Sequence, residues 1–170
     1  MKIGILSDTH NNMGSLQAAL MLFERKGITT LVHCGDLTGV EIARAMVGFR
    51  VICVFGNGDV ASGEIRETLL ARNPESSAGL VFSGRIGGAR IGATHGHLPG
   101  KVEELVRSGE HDLVFVGHSH RHKEERIGFT RLINPGSLGG LQSEKRHVCV
   151  LDLEAGRAEF IHIHQEELQR

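Results

Sequence analysis

The sequence predicts a layered α/β sandwich of two mixed β-sheets flanked by helices, and three observations lead there. In the first half, short apolar runs alternate with segments of helical spacing. Beyond residue 80 the apolar runs come in closely spaced pairs, as hairpins do. The length of 170 residues suits one domain, read as 1–170, which can bury about 70% of its unfolded surface and needs no disulfide to fold.

The run Lys2 to Leu6 ends in a polar cluster, as a buried strand does. Leu16, Ala19, Leu20 and Phe23 then recur at helical spacing, with Gly27 as the stop. Leu31 to His33 reads as a second strand, Val40 to Val47 as a short helix, Val51 to Phe55 as a third strand and Glu64 to Ala71 as a helix. Leu80 to Ile86 and Ala89 to Thr94 flank Gly87-Gly88, a hairpin signal. A helix from Lys101 to Arg107 and the strand Leu113 to Val116 follow. Short strands are expected near Glu124 to Gly128, near Arg131 to Ile133, and at Val148 to Leu153 and Ala158 to His164.

A formal net charge of -1, with Lys and Arg scattered, argues against a tracking surface for long nucleic acid or an anionic membrane. The N-terminal apolar run is too short for a signal peptide or a membrane span. Cys34, Cys53 and Cys149 lie in apolar runs with no Cys-x-x-Cys pair, so they read as buried thiols in a reducing, cytoplasmic setting. The 11 histidines are less ordinary, because imidazole is a common metal ligand, and they prompt a search for clusters.

That search finds ligand-type residues where apolar strands end. The first strand delivers Asp8 and His10, the second Asp36, the third Asn57, and later strands His95, then His118 with His120. In open α/β sheets ligands bind outside the carboxyl ends of strands, so these ends can converge. Two carboxylates, an amide oxygen and four imidazoles suit manganese, iron, nickel or zinc. Seven donors exceed the four of a tetrahedral zinc but suit two metals sharing a carboxylate. Asp8 or Asp36 alone could merely cap a helix, and Asn57 alone could be a turn residue.

Asp8-x-His10, Gly35-Asp36, Gly56-Asn57, His95-Gly96 and Gly117-His118-x-His120, in this order, resemble the signature of the calcineurin-like metallophosphoesterase family. Asn134-Pro135-Gly136-Ser137 is similar to a motif of its compact bacterial and archaeal phosphodiesterase branch. The resemblance runs from Met1 to about His164. It implies that Asp8, His10 and His120 hold one divalent cation, Asn57, His95 and His118 the other, and that Asp36 bridges them. It further implies attack on the phosphorus of a small phosphodiester by a hydroxide bridging the metals, with manganese as the first choice of metal and nickel, iron or zinc as alternatives. Asn57 is thereby also a catalytic candidate. Dimers or tetramers are common in the compact branch, so a homodimer or homotetramer is open.

One position departs from the family. Many members have Gly-Asn-His, whose His is thought to protonate the leaving group, whereas this chain has Gly56-Asn57-Gly58. General acid catalysis is worth about 10²–10⁴-fold. His97 is the candidate substitute acid or phosphate contact. Asn11, Asn12 and Asp59 could orient ligands or touch substrate, with a helix-start role equally open for Asn12. His33 reads as structural, His111, His122 and His147 as solvated, and His162 and His164 as the outward face of a terminal strand. Two rival functions stand beside hydrolysis of small diesters. One is a non-catalytic metal-binding scaffold, since a retromer coat subunit shares this fold. The other is a nuclease, for which Arg121, Lys123 and Arg126 supply only a small basic cluster.

Overall fold

The computed structural model describes residues 1–140 and 145–164. Among the described residues eleven strands form two mixed sheets, the architecture expected. The first sheet has β1 (Lys2–Leu6), β2 (Thr30–His33), β3 (Arg50–Val54) and β4 (Ser77–Gly79) in parallel, with β10 (His147–Asp152) antiparallel to β1 and β11 (Arg157–His162) on the edge. The second has the order β5-β6-β7-β9-β8, with β5 (Val81–Ile86), β6 (Ala89–Thr94), β7 (Leu113–Phe115), β8 (Lys123–Ile127) and β9 (Thr130–Asn134). Within it β6, β7 and β9 run parallel, and the outer strands are antiparallel to their neighbours.

Strands in the middle of the first sheet are covered on both faces, which explains their unbroken apolar runs. Ile3, Ile5, Val32, Ile52 and Val54 turn toward Ile91, Ala93, Leu113, Phe115 and Ile133 of the second sheet. The alternate residues Leu6, Leu31, Val51 and Cys53 pack under three helices: α1 (Met13–Arg25), α2 (Val40–Ala45) and α3 (Ser62–Arg72). The helix α4 (Lys101–Arg107) covers the outer face of the second sheet through Leu105 and Val106, against Val114 and Val116. The order of layers is therefore helix, sheet, sheet, helix.

Gly87 and Gly88, with φ of 55° and 87°, make the tight turn between β5 and β6. Such a turn needs left-handed backbone at both central residues. Three details differ from the sequence expectation. The strand β4 was not foreseen, because Ser-Ala-Gly carries no apolar run; it is fixed by pairing with β3. The strand expected near Arg131 to Ile133 runs one residue further at each end, from Thr130 to Asn134. His111, expected to be solvated, is buried, with Nδ1 3.1 Å from the Leu105 carbonyl and Nε2 2.9 Å from Ser83 Oγ. All three cysteines are buried and free. Among the described residues no helix is long and apolar enough to cross a membrane.

Candidate metal centre

The carboxyl ends of β1, β2, β3, β6 and β7 open onto one place. Asp8 and His10 follow β1, Asp36 follows β2, Asn57 and Asp59 follow β3, His95 and His97 follow β6, and His118 and His120 follow β7. Two groups of donors form there. Asp8, His10 and His120 bring their ligand atoms within 4.8 Å of one another, and so do Asp8, Asp36 and His95. His10 Nε2 lies 3.3 Å from His120 Nε2, and His118 Nδ1 lies 3.2 Å from His95 Nε2. The ring centres of these pairs are 5.2 and 5.0 Å apart. Asp36 Oδ2 sits between the pairs, 4.0 Å from His10 Nε2 and 3.5 Å from His95 Nε2. Asn57 stands exposed on the turn after β3.

The backbone here is strained. Among the described residues seven non-glycines have positive φ, and five are Asp8, His10, Asp36, His118 and His120. Left-handed backbone costs a non-glycine residue about 1–3 kcal/mol and is retained where the surroundings impose it, commonly at functional sites. Hydrogen bonds between loops impose it: the N–H groups of Asp8, His10 and Asn11 donate to the carbonyls of Gly35, Asp36 and Leu37. Gly117 permits a close approach, since a Cβ there would stand 2.0 Å from Ser7 Oγ and 2.9 Å from Asp8 Oδ2.

The electrostatics call for a cation. Asp8 is fully buried; its Oδ2 accepts from Ser7 Oγ (2.5 Å) and the His118 N–H (3.1 Å), while Oδ1 has no hydrogen-bond partner among the described residues. Burial pushes the Asp8 carboxyl above its ordinary range, against the Ser7 hydrogen bond and the nearby His95 and His120 rings. His95 Nδ1 is 2.7 Å from the Cys34 carbonyl, which can only accept, so Nδ1 carries the proton. Nε2 faces Asp36 Oδ2 at 3.5 Å and Asp8 Oδ1 at 3.9 Å. Two carboxylate oxygens converging on one buried point are stabilised by positive charge lying between them. A carbonyl fixing the outer nitrogen is also the usual support of a ligating histidine. The donor set fits divalent cations.

Several residues hold this centre together. Asp59 accepts the N–H groups of Asp36 (2.9 Å), Gly56 (2.8 Å) and Thr38 (2.8 Å), tying the loop after β2 to the loop after β3. Gly58 N–H donates 2.7 Å to Asp36 Oδ1. Asn12 caps α1, accepting the Ser15 N–H at 3.0 Å. Asn11 is exposed, and its side chain covers Gly39. His97 is half-buried with its ring 5.5 Å from that of His95; its Nδ1 is buried without a hydrogen-bond partner among the described residues. Desolvation, then the His95 and His118 rings, push the His97 imidazole below its ordinary value, against Asp36 and Asp59.

Sequence reasoning missed two supports. Buried Asn134 donates Nδ2–H to the Gly117 carbonyl at 2.8 Å, and Ser137 Oγ donates to the Asp8 carbonyl at 3.2 Å. The Asn-Pro-Gly-Ser run thus clasps the loops of Asp8 and His118 from behind. Its polarity directly after an apolar strand was the available signal.

Comparison with known proteins agrees. Residues 1–156 match the model of the calcineurin-like phosphoesterase superfamily domain. A phosphodiesterase from Methanocaldococcus jannaschii is 30% identical over 156 residues, covering 91% of this chain and 94% of that protein. The solved structure of an archaeal phosphodiesterase superposes with a TM-score of 0.91 at 29% identity, over 96% of this chain and all of the other. Zinc-complexed Vps29 from Entamoeba histolytica, at 20% identity and a TM-score of 0.65 over 97% of this chain and 99% of its own, shares the fold. The chain belongs to the calcineurin-like phosphoesterase superfamily.

Proposed function

We propose that this calcineurin-like phosphoesterase holds two divalent cations and hydrolyses small phosphodiesters. The observation that carries the reading is the buried Asp8 Oδ1, without a hydrogen-bond partner among the described residues and ringed by left-handed loops that aim His95 and His120 at it. Asp8, His10 and His120 would hold one cation and Asn57, His95 and His118 the other. Asp36 Oδ2, lying between the two imidazole pairs, suits the bridging role. Bound there, the pair supplies a water-derived nucleophile at neutral pH and neutralises charge on the phosphoryl oxygens. Manganese is the first choice of metal, with nickel, iron or zinc as alternatives.

The protein's own groups do the rest. Asp59 and Gly58 N–H hold Asp36 in place; Ser7 and the His118 N–H orient Asp8. His97 contacts the phosphoryl group or the departing oxygen. Beside His118 a hollow of about 400 Å³ has an apolar floor of Val102, Val116 and Leu132, with Arg121 and Lys123 at its sides. It suits the ester group of a small diester. The M. jannaschii relative, which bears the name phosphodiesterase, supports that choice of substrate class.

The test is turnover of bis(p-nitrophenyl) phosphate by purified protein supplied with manganese. Asp36→Ala and His95→Ala should each abolish it. Wild-type rates in either variant would overturn the assignment.

A further inference from the structure

We infer that the diester taken by this site carries one long apolar ester arm, held in a groove between α4 and the strands β8 and β9. The inference rests on the proposed hydrolysis of diesters and narrows it to a substrate class. The hollow beside His118 meets a second one, of about 430 Å³, at Gly96 and Val102, which line both. Each has the size of a small-molecule site, roughly 300–1,000 Å³. Gly96, with φ of 112°, puts no side chain between them. The groove therefore runs from the candidate metal centre along the flank of α4 as far as Arg107.

Its chemistry changes along its length. Arg121 stands at the metal end, where its charge suits the anionic phosphodiester head. Beyond it the walls are apolar. Val102, Ile127 and Leu132 pack on the cluster beneath α4 but stay half-buried, so part of each faces the groove. Leu98 and Val106 continue this surface. At the far end Glu103 and Arg107 are exposed and paired with each other at 2.9 Å.

A nucleoside arm fits this lining poorly. Bases are held by stacking on rings and by hydrogen-bond groups aimed at their edges. Among the described residues that line the groove, His118 alone bears an aromatic ring. The Asn134 amide is already engaged: Nδ2 donates to the Gly117 carbonyl at 2.8 Å and to Ser119 Oγ at 3.1 Å, and Oδ1 accepts the Gly136 N–H at 2.9 Å. An apolar chain asks for no such partner. It gains by taking its own surface and that of Val102 and Ile127 out of water.

The test uses manganese-loaded protein and p-nitrophenyl diesters whose second arm runs from methyl to octyl. KM should fall about two- to fourfold per methylene until the groove is filled, with kcat little changed. The p-nitrophenyl ester of thymidine monophosphate should have a higher KM than the octyl diester. Val102→Thr keeps the side-chain shape but adds a hydroxyl; it should flatten the dependence on arm length and leave metal content unchanged. A second readout needs no turnover. In Asp36→Ala the methyl resonances of Val102, Val106 and Ile127 should shift with the octyl diester and stay in place with the methyl one. A KM independent of arm length, a preference for the thymidine ester, or octyl-induced shifts confined to other methyls would overturn the inference. Failure of the phosphodiesterase reading looks different: no diester would be turned over, while the octyl-dependent shifts would remain.

Discussion

His33 and Thr9 meet inside the protein, with His33 Nε2 2.8 Å from Thr9 Oγ1. The other ring nitrogen, Nδ1, accepts the Gly35 N–H at 3.1 Å, so Nε2 must hold the proton and donate it. One neutral imidazole thereby links the loop bearing Asp8 and His10 to the loop bearing Asp36.

This link makes stability depend on pH. Burial, with the His95 and His10 rings adding to it, pushes His33 down to about 3. An unfolded histidine titrates near 6.5, so between about 6.5 and 3 the unfolded chain binds the extra proton. The stability contributed by neutral His33 is complete above the unfolded value and is lost as pH falls through that window, by up to about 1.4 kcal/mol per pH unit. Urea unfolding of metal-free protein at pH 7, 6 and 5 should show this loss, and His33→Gln should lose less. Parallel pH curves for the two proteins would refute the link.

Asp59→Asn tests the tie between loops. Asp59 accepts three N–H groups through two oxygens, and an amide nitrogen in place of one oxygen would face a donor. Support of this kind is worth about 10–100-fold in metal affinity. Manganese titration should show a loss of that size with the fold intact by circular dichroism. Unchanged affinity would remove Asp59 from the design.

Gly58 is not a simple gap to be refilled. A Cβ there would stand 3.0 Å from Asp36 Oδ1 and from Thr38 Cγ2. Gly58→His should therefore weaken manganese binding and fail to raise turnover, because the added side chain displaces Asp36. A tenfold gain in rate would show that only a proton donor had been lacking.

His97→Ala should lower kcat/KM on diesters by about 10²-fold, the low end of what one acid–base group contributes, and leave metal content unchanged. The loss should be larger for an alkyl ester than for p-nitrophenyl. Equal losses on both substrates would place His97 away from the leaving group.

What the sequence could and could not reveal follows from range. The convergence of Asp8, Asp36, His95 and His118 was legible because a polar residue after an apolar strand is a local pattern. The two sheets were legible because the strand runs and the glycine pair of the β5–β6 turn are local as well. β4 was not, because Ser77–Gly79 becomes a strand only by pairing with β3. His111 was misread from its polar neighbours, since Ser83, which accompanies it, lies 28 residues away in the chain. Asn134 and Ser137 likewise act through contacts 17 and 129 residues distant. The left-handed backbone at these histidines and aspartates gives only a weak local signal, because both residue types adopt such a φ more readily than most but far less readily than glycine.

Paramagnetic resonance of metal-stripped protein titrated with manganese addresses the paired centre most directly. Two equivalents should enter and give the signal of a spin-coupled manganese pair, absent in Asp36→Ala. A six-line spectrum of isolated ions at saturation, or no protein-bound manganese at all, would contradict a site built for two cations.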